Sequence, residues 1–360
     1  MKNRNLSILV FAAACLVLTG GIAPSYAADF YKGKTLSIYV GGTAGGGMDL
    51  GARALAPFLR KHLPGNPDVI INNMGGAGGT QARNYVYEKA KKDGTGLFWG
   101  DWGPLAQITG EVGFRANFIE MPFIGGMSDS YLNVISTEIH PEIKRSADVV
   151  KAQVKAGGLR ASSAADLLAR LSLDVLGVKH IYIEGYEGGA KILAAIMQKE
   201  VAYMSVSNGM YAGSIIPKLV EEKKMMTLWY HPKRALKGGF VLKPALSKIA
   251  PTFPEVYKQV HGKDPSGPKW DALLWVNDVG TNILRGLWAP PKINEEALSV
   301  LRKGFVSAVN DKQYMDFAIK QFVIAEFVSV EEGNRSVELL KSADAKFVAF
   351  IKEYIEAGTK

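Results

Sequence analysis

The chain has 360 residues, 48% of them hydrophobic, enough to bury one large core or two ordinary ones. Its 43 basic residues outnumber 34 acidic ones, but no long Lys/Arg run occurs and nucleic-acid-binding motifs are absent, so the excess fits general attraction to anionic solutes rather than a nucleic-acid groove. The one cysteine, Cys15, lies in the N-terminal segment, and without that segment a disulfide framework, a thiolate zinc site and a cysteine nucleophile are all excluded.

In chain order, residues 1–27 read as a secretory signal peptide. Lys2 and Arg4 make the basic start, "LSILVFAAACLVLTGGIA" the apolar stretch, and "SYA" the small residues before cleavage after Ala27. An uncleaved membrane anchor is the alternative, but no basic cluster follows to stop transfer. "TLSIYV" predicts a strand, followed by the loop "GGTAGGG" and a helix over 49–62. "PDVIINN" is a second strand, leading through "MGGAGGT" to a helix over about 80–91, and "GLFWG" is a third strand. A second series begins near residue 145: strand "GLRAS", helix "SAADLLARLSLDVLG", strand "HIYIEGY", helix "EGGAKILAAIMQKE", strand "VAYMSV", a helix over about 210–222, and strand "MMTLWY". Strands alternating with helices at this spacing predict α/β lobes built on parallel sheets. Residues 231–282, with prolines at 232, 244, 251, 254, 265 and 268, read as loop-rich. "NILRGLWAPP" reads as a returning strand, followed by helices over 295–309 and 333–356.

Open α/β sheets bind ligands at the carboxyl ends of their strands. Three loops at such ends, "GGTAGGG", "MGGAGGT" and "YEGGAK", are rich in glycine, which lets backbone amides approach a ligand closely. Each following helix adds unpaired N–H donors and the positive end of its dipole. The glycines serve either tight strand-to-helix turns or an anion cradle, and three such loops in one chain favour the cradle. Nucleotides fit poorly: Gly45 and Gly47 are followed by Leu50 where a dinucleotide fingerprint needs glycine, and Met48 and Asp49 replace the Lys and Ser/Thr of a phosphate loop. Asp49 reads as a helix cap balanced by Arg53 one turn later.

Together these segments resemble the extracytoplasmic solute receptors of tripartite tricarboxylate transporters, the Bug-type periplasmic binding proteins. The resemblance is carried by "YKGKTLSIYVGGTAGGGMDLGARALAPFL", "NMGGAGGTQARNYVYEKAKKDGTGLFWG", "IYIEGYEGGAKILAAIMQKEVAYM" and "GLWAPPKINEEALSVL", in that order, over nearly the whole mature chain. It implies a two-lobed type II periplasmic-binding fold, each lobe a mainly parallel sheet flanked by helices, closing over a carboxylate. On that pattern residues 28–126 and 283–360 form lobe 1 and residues 127–282 form lobe 2. The resemblance points to Gly42, Thr43 and Ala44 as ligand residues in lobe 1. In lobe 2 it points to Ser162 and Ser163, to Gly188, Gly189 and Ala190, and to Asn208. Ser162 and Ser163 serve equally well as caps of the helix they precede. The third strand departs from the family by ending in "WGDWGPL", so Trp99 and Trp102 either line the pocket, favouring a flat or aromatic carboxylate, or pack in the core; Asp101 reads as a turn residue.

The five histidines, at 62, 140, 180, 231 and 261, never reach metal-ligand spacing and read as surface or loop residues, and no G-x-S-x-G elbow is present. No catalytic residue, metal or cofactor is therefore assigned. The expectation is a monomeric periplasmic receptor that binds a small organic carboxylate and passes it to integral-membrane permease subunits, with no nucleic-acid partner. The alternatives are a secreted α/β enzyme acting on an anionic substrate and a receptor that reports to a sensor kinase.

Overall fold

A computed structural model describes residues 29–235, 238–322 and 326–358; the expected signal peptide and its cleavage site lie outside them. The first stretch contains β1 (Thr35–Val40), α1 (Gly47–His62), β2 (Asp68–Asn73), α2 (Thr80–Lys89), β3 (Gly96–Gly100), α3 (Pro104–Thr109) and β4 (Phe123–Ser128). The second contains β5 (Tyr131–Ser136), β6 (Gln153–Gly157), α4 (Ala164–Leu176), β7 (Lys179–Ile183), α5 (Gly189–Met197), β8 (Tyr203–Ser207), α6 (Asn208–Gly213), α7 (Ile216–Glu221) and β9 (Met225–Tyr230). Next come β10 (Lys233–Arg234), β11 (Phe240–Val241), α8 (Pro244–Ser247), α9 (Phe253–His261) and α10 (Pro268–Gly280). The chain ends with β12 (Arg285–Trp288), α11 (Glu295–Val309), α12 (Lys312–Phe322), β13 (Glu326–Val328), α13 (Val330–Lys341) and α14 (Ala345–Ala357).

Two mixed sheets result, parallel among β1, β2 and β3 and among β6, β7 and β8 and antiparallel elsewhere. One is six-stranded in the order β13-β4-β12-β3-β1-β2, and the other five-stranded in the order β7-β6-β8-β5-β9. Helices flank both, as the α/β, two-lobed expectation requires. In β1 the period of two is direct: Leu36, Ile38 and Val40 are buried while Thr35, Ser37 and Tyr39 are not. The chain passes from the first sheet to the second between β4 and β5 and returns before β12. β5 and β12, the strands that follow these passages, run antiparallel to both of their neighbours. The two passages touch, with the Asp129 amide donating to the Thr281 carbonyl at 3.2 Å.

Several expectations need correction. Residues 231–282 are not loop-rich: they hold a small hairpin and three helices. Pro244, Pro254 and Pro268 sit in the first two positions of α8, α9 and α10, where a missing N–H costs nothing. Thr252 and Glu255 add a capping box to α9. The helix expected over 333–356 is two helices, because the Asp344 carboxylate accepts from the Phe347 amide and starts α14 afresh. That over 210–222 likewise divides into α6 and α7 at Ser214–Ile215. The strand placed on "GLRAS" lies earlier, at Gln153–Gly157, and residues 159–162 turn away from it. His231 does lie in a loop, the short link between β9 and β10, but not at the surface: it is buried in a polar network of lobe 2, beside Asn133 at 3.0 Å and Ser172 at 3.2 Å.

Candidate functional site

The two glycine loops of lobe 1 interlock. A Cβ on Gly75 would lie 3.0 Å from the Thr43 nitrogen, and one on Gly79 would lie 2.6 Å from the Gly41 carbonyl oxygen, so only glycine lets these backbones meet. Asn73 ties the second loop to the first by donating to the Gly42 carbonyl at 3.2 Å. Asp49, at the third position of α1, accepts from the Gly45 amide at 2.8 Å and pairs with Arg53. The structural role expected for Asp49 holds, but it closes the loop ahead of the helix, whose cap position is occupied by Gly46. The Arg53 guanidinium holds the Asp49 carboxyl below its usual range.

Lobe 2 repeats the arrangement with a different result. Asp166, third in α4, accepts from the amides of Leu159 at 2.8 Å and Arg160 at 2.9 Å and from the Ser163 hydroxyl at 2.7 Å. The Ala161 amide donates to Glu184 at 2.8 Å. Burial raises the Asp166 carboxyl above its usual range, against the pull of these donors.

Between the lobes lies a cleft of about 370 Å³, at the carboxyl ends of β3 and β6 and beside the passage into β5. The first turns of α1, α2 and α4 reach it through Met48, Thr80 and the Ser163–Ala165 stretch. Helix starts from both lobes therefore face one cavity, which suits an anion. Two guanidiniums line it. That of Arg83 is buried and donates to the carbonyls of Asp101 at 2.7 Å and Gly78 at 3.1 Å, with the Asp101 carboxylate at 3.4 Å. Burial lowers its pKa, while Asp101 opposes that shift. Arg160 belongs to lobe 2 but extends to lobe 1: its terminal nitrogen is 3.3 Å from where a Cβ on Gly78 would stand. Tyr131 contributes a phenol that burial keeps protonated by raising its pKa.

Of the residues expected to bind ligand, Ser162 and Ser163 line this cleft. Ser163 also caps α4 by accepting from the Asp166 amide at 3.1 Å. Gly42, Thr43 and Ala44 lie on the first loop outside the lining, Gly188, Gly189 and Ala190 open α5 away from it, and Asn208 is buried at the start of α6. Trp102 is corrected to a core residue. Its indole stacks on Trp288 with 5.4 Å between ring centroids and donates to the Val279 carbonyl at 2.9 Å, so the ring is turned under α10 and never meets the cleft. Trp99 is likewise core, donating to the Met48 carbonyl at 3.1 Å, and Asp101 makes the turn by accepting from the Gly103 amide at 3.1 Å. Sequence reasoning missed Arg83, Arg160 and Tyr131. Arg160 stood in plain view in "GLRASS", but a strand reading drew attention to the wrong residues. Among the described residues no cluster of His, Cys, Asp and Glu could hold a metal ion, and no helix is long and apolar enough to cross a membrane.

No family model matches the chain, and no curated protein matches it. Solved structures do. A TctC solute binding protein from Polaromonas, solved without ligand, is 19% identical, with 90% of this chain and 98% of that one covered at a TM-score of 0.63. The periplasmic binding protein BugD is 20% identical, with 89% and 97% covered at 0.59. An R. palustris protein solved with adipate is 18% identical, with 90% and 97% covered at 0.60. At these identities the likeness is one of fold: this chain has the two-lobed fold of TctC and Bug periplasmic binding proteins over nearly its whole described length.

Proposed function

We propose that the protein is a periplasmic solute receptor that captures a small organic carboxylate between its lobes and delivers it to the permease subunits of a tripartite transporter. The observation that carries this reading is the convergence of three helix starts, from both lobes, on one cleft that also holds Arg83 and Arg160. The adipate in a protein of like fold supports a carboxylate as the ligand class. Binding by the main chain, hydroxyls and guanidiniums calls for no cofactor and no covalent step. On this reading lobe 1 is residues 28–126 and 283–360 and lobe 2 is residues 127–282; the secreted monomer begins at Ala28, which an intact mass of the exported protein checks.

The test is thermal unfolding of ligand-stripped protein against a panel of mono-, di- and tricarboxylates. A ligand at a hundred times its Kd adds about 2.7 kcal/mol, a rise of several degrees in Tm for a chain of this size. No rise with any carboxylate would overturn the reading. Pull-down of the permease subunits by ligand-loaded but not ligand-free protein tests the transport partner.

A further inference from the structure

We infer that the ligand is a monocarboxylate with an apolar body, and that Arg160 is the side chain of lobe 2 that grips its carboxylate. The inference rests on the receptor reading above and adds the ligand class and the residue that sets it.

The second lobe's own acids occupy the stretch ahead of its helix start. The amides of Leu159, Arg160 and Ala161 all donate to Asp166 or Glu184, so this part of the loop is filled and only the first turn of α4 is left to face the cleft. Beside that turn lobe 2 offers the exposed Arg160 side chain, which makes no hydrogen bond or ion pair among the described residues and reaches across to Gly78. There it stands beside the start of α2 and near Arg83, two positive neighbours that an isolated guanidinium would avoid. Arg83 is engaged by Gly78, Thr80 and Asp101. A carboxylate entering between Arg160 and the first turn of α2 would satisfy Arg160 and join the two lobes through one anionic group.

The position of the charges limits the rest of the ligand. Arg83 and Arg160 are the only cations lining the cleft among the described residues, and both lie at Gly78. The remaining wall is largely Met48, Leu105, Leu159, Ala164 and Leu284, and the other charged groups are the acids Asp101 and Glu111. A second carboxylate would be buried against hydrocarbon or set beside another acid, and both are unfavourable. A hydrocarbon body meets a matching surface.

Calorimetric titration of the stripped, full mature protein decides the matter with length-matched probes. Hexanoate and adipate share a six-carbon chain, and benzoate and terephthalate share a ring. The monocarboxylate of each pair is expected to bind at least about tenfold more tightly, and affinity to rise about fourfold per methylene from propionate to hexanoate. Arg160→Gln should weaken hexanoate about tenfold or more, and Arg160→Lys should restore part of the loss; unchanged melting of both ligand-free variants shows that the fold is intact. Adipate binding as tightly as hexanoate, or Arg160→Gln binding hexanoate like the parent, overturns the inference while the receptor reading stands. Failure of every carboxylate overturns both.

Discussion

The two lobes build the loops ahead of α1 and α4 from the same device, an aspartate at the third position of a helix that reaches back to the loop before it. They differ in where the counter-charge sits. Asp49 has Arg53 on the outer face of α1, so it takes a single loop amide, from Gly45, and its carboxyl stays low. Arg170, one turn after Asp166, donates to the Ala161 and Tyr354 carbonyls instead, so Asp166 takes two loop amides and a hydroxyl, and burial pushes its carboxyl up. An acid paired with a cation takes one amide of its loop, and an acid without that pairing takes two. The cores differ in the same direction. Around β1 and β3 lobe 1 packs Leu36, Ile38, Val40, Leu97 and Trp99, whereas lobe 2 encloses Asn133, Ser172, Tyr203 and His231 in a connected polar network.

The largest expected consequence is that acid weakens lobe 2 first. Burial lowers the His231 pKa from 6.5 to about 3. Below 6.5 the unfolded chain therefore takes a proton that the folded one refuses, and stability falls as pH drops through that window, at about 1.4 kcal/mol per pH unit and about 5 kcal/mol in all. Urea unfolding across the window measures this slope. His231→Asn, which keeps hydrogen-bonding groups but does not titrate, should flatten it by about one proton. An unchanged slope would mean that the acid sensitivity arises elsewhere.

The paired aspartates give the next effect. Asp166→Ala leaves two half-buried amides and a hydroxyl without their acceptor, at about 1 kcal/mol for each lost partner, so about 3 kcal/mol in total is expected. Asp49→Ala removes the acceptor of one amide and a half-exposed ion pair, and about 1–2 kcal/mol is expected. Denaturant midpoints of the two variants test the order, and the reverse order would break the contrast between the two loops.

Much of the fold was legible because it lies in periodicity: β1 to β3, the helices over 49–62 and 295–309, and the returning strand all follow from apolar spacing and glycine. β4 and β5 were not assigned at all. "FIGGMS" looks like a turn, yet Gly125 and Gly126 are in a fully buried strand, where a Cβ would come within 2.3 Å of the Phe305 ring and 2.5 Å of the Arg285 carbonyl oxygen. Prolines misled in 231–282 because the same residue marks loops and helix starts. At the site, the helix starts could be read from the chain but the cations could not. Arg83 and Arg160 are 77 positions apart in the chain and meet only when β3 and β6 end at one cleft, and whether a loop amide is free depends on acids such as Glu184, which belongs to a different loop.

Adjacent serines sharpen the comparison at its smallest scale. Ser163 accepts from the Asp166 amide and donates to the Asp166 carboxylate, so it belongs to the filled loop as much as to the cavity wall. Its change to Ala should cost about 1 kcal/mol of stability as a lost cap. Ser162 lines the same cleft, and its hydroxyl makes no hydrogen bond among the described residues. Ser162→Ala should therefore leave stability within about 0.5 kcal/mol and weaken a bound carboxylate by a few-fold, the worth of one hydrogen bond. Melting and titration of the two variants separate the roles. If Ser163→Ala changed only affinity and Ser162→Ala only stability, the serine at the helix start would be a ligand group after all, and the second lobe would still present part of its main-chain cradle to the cleft.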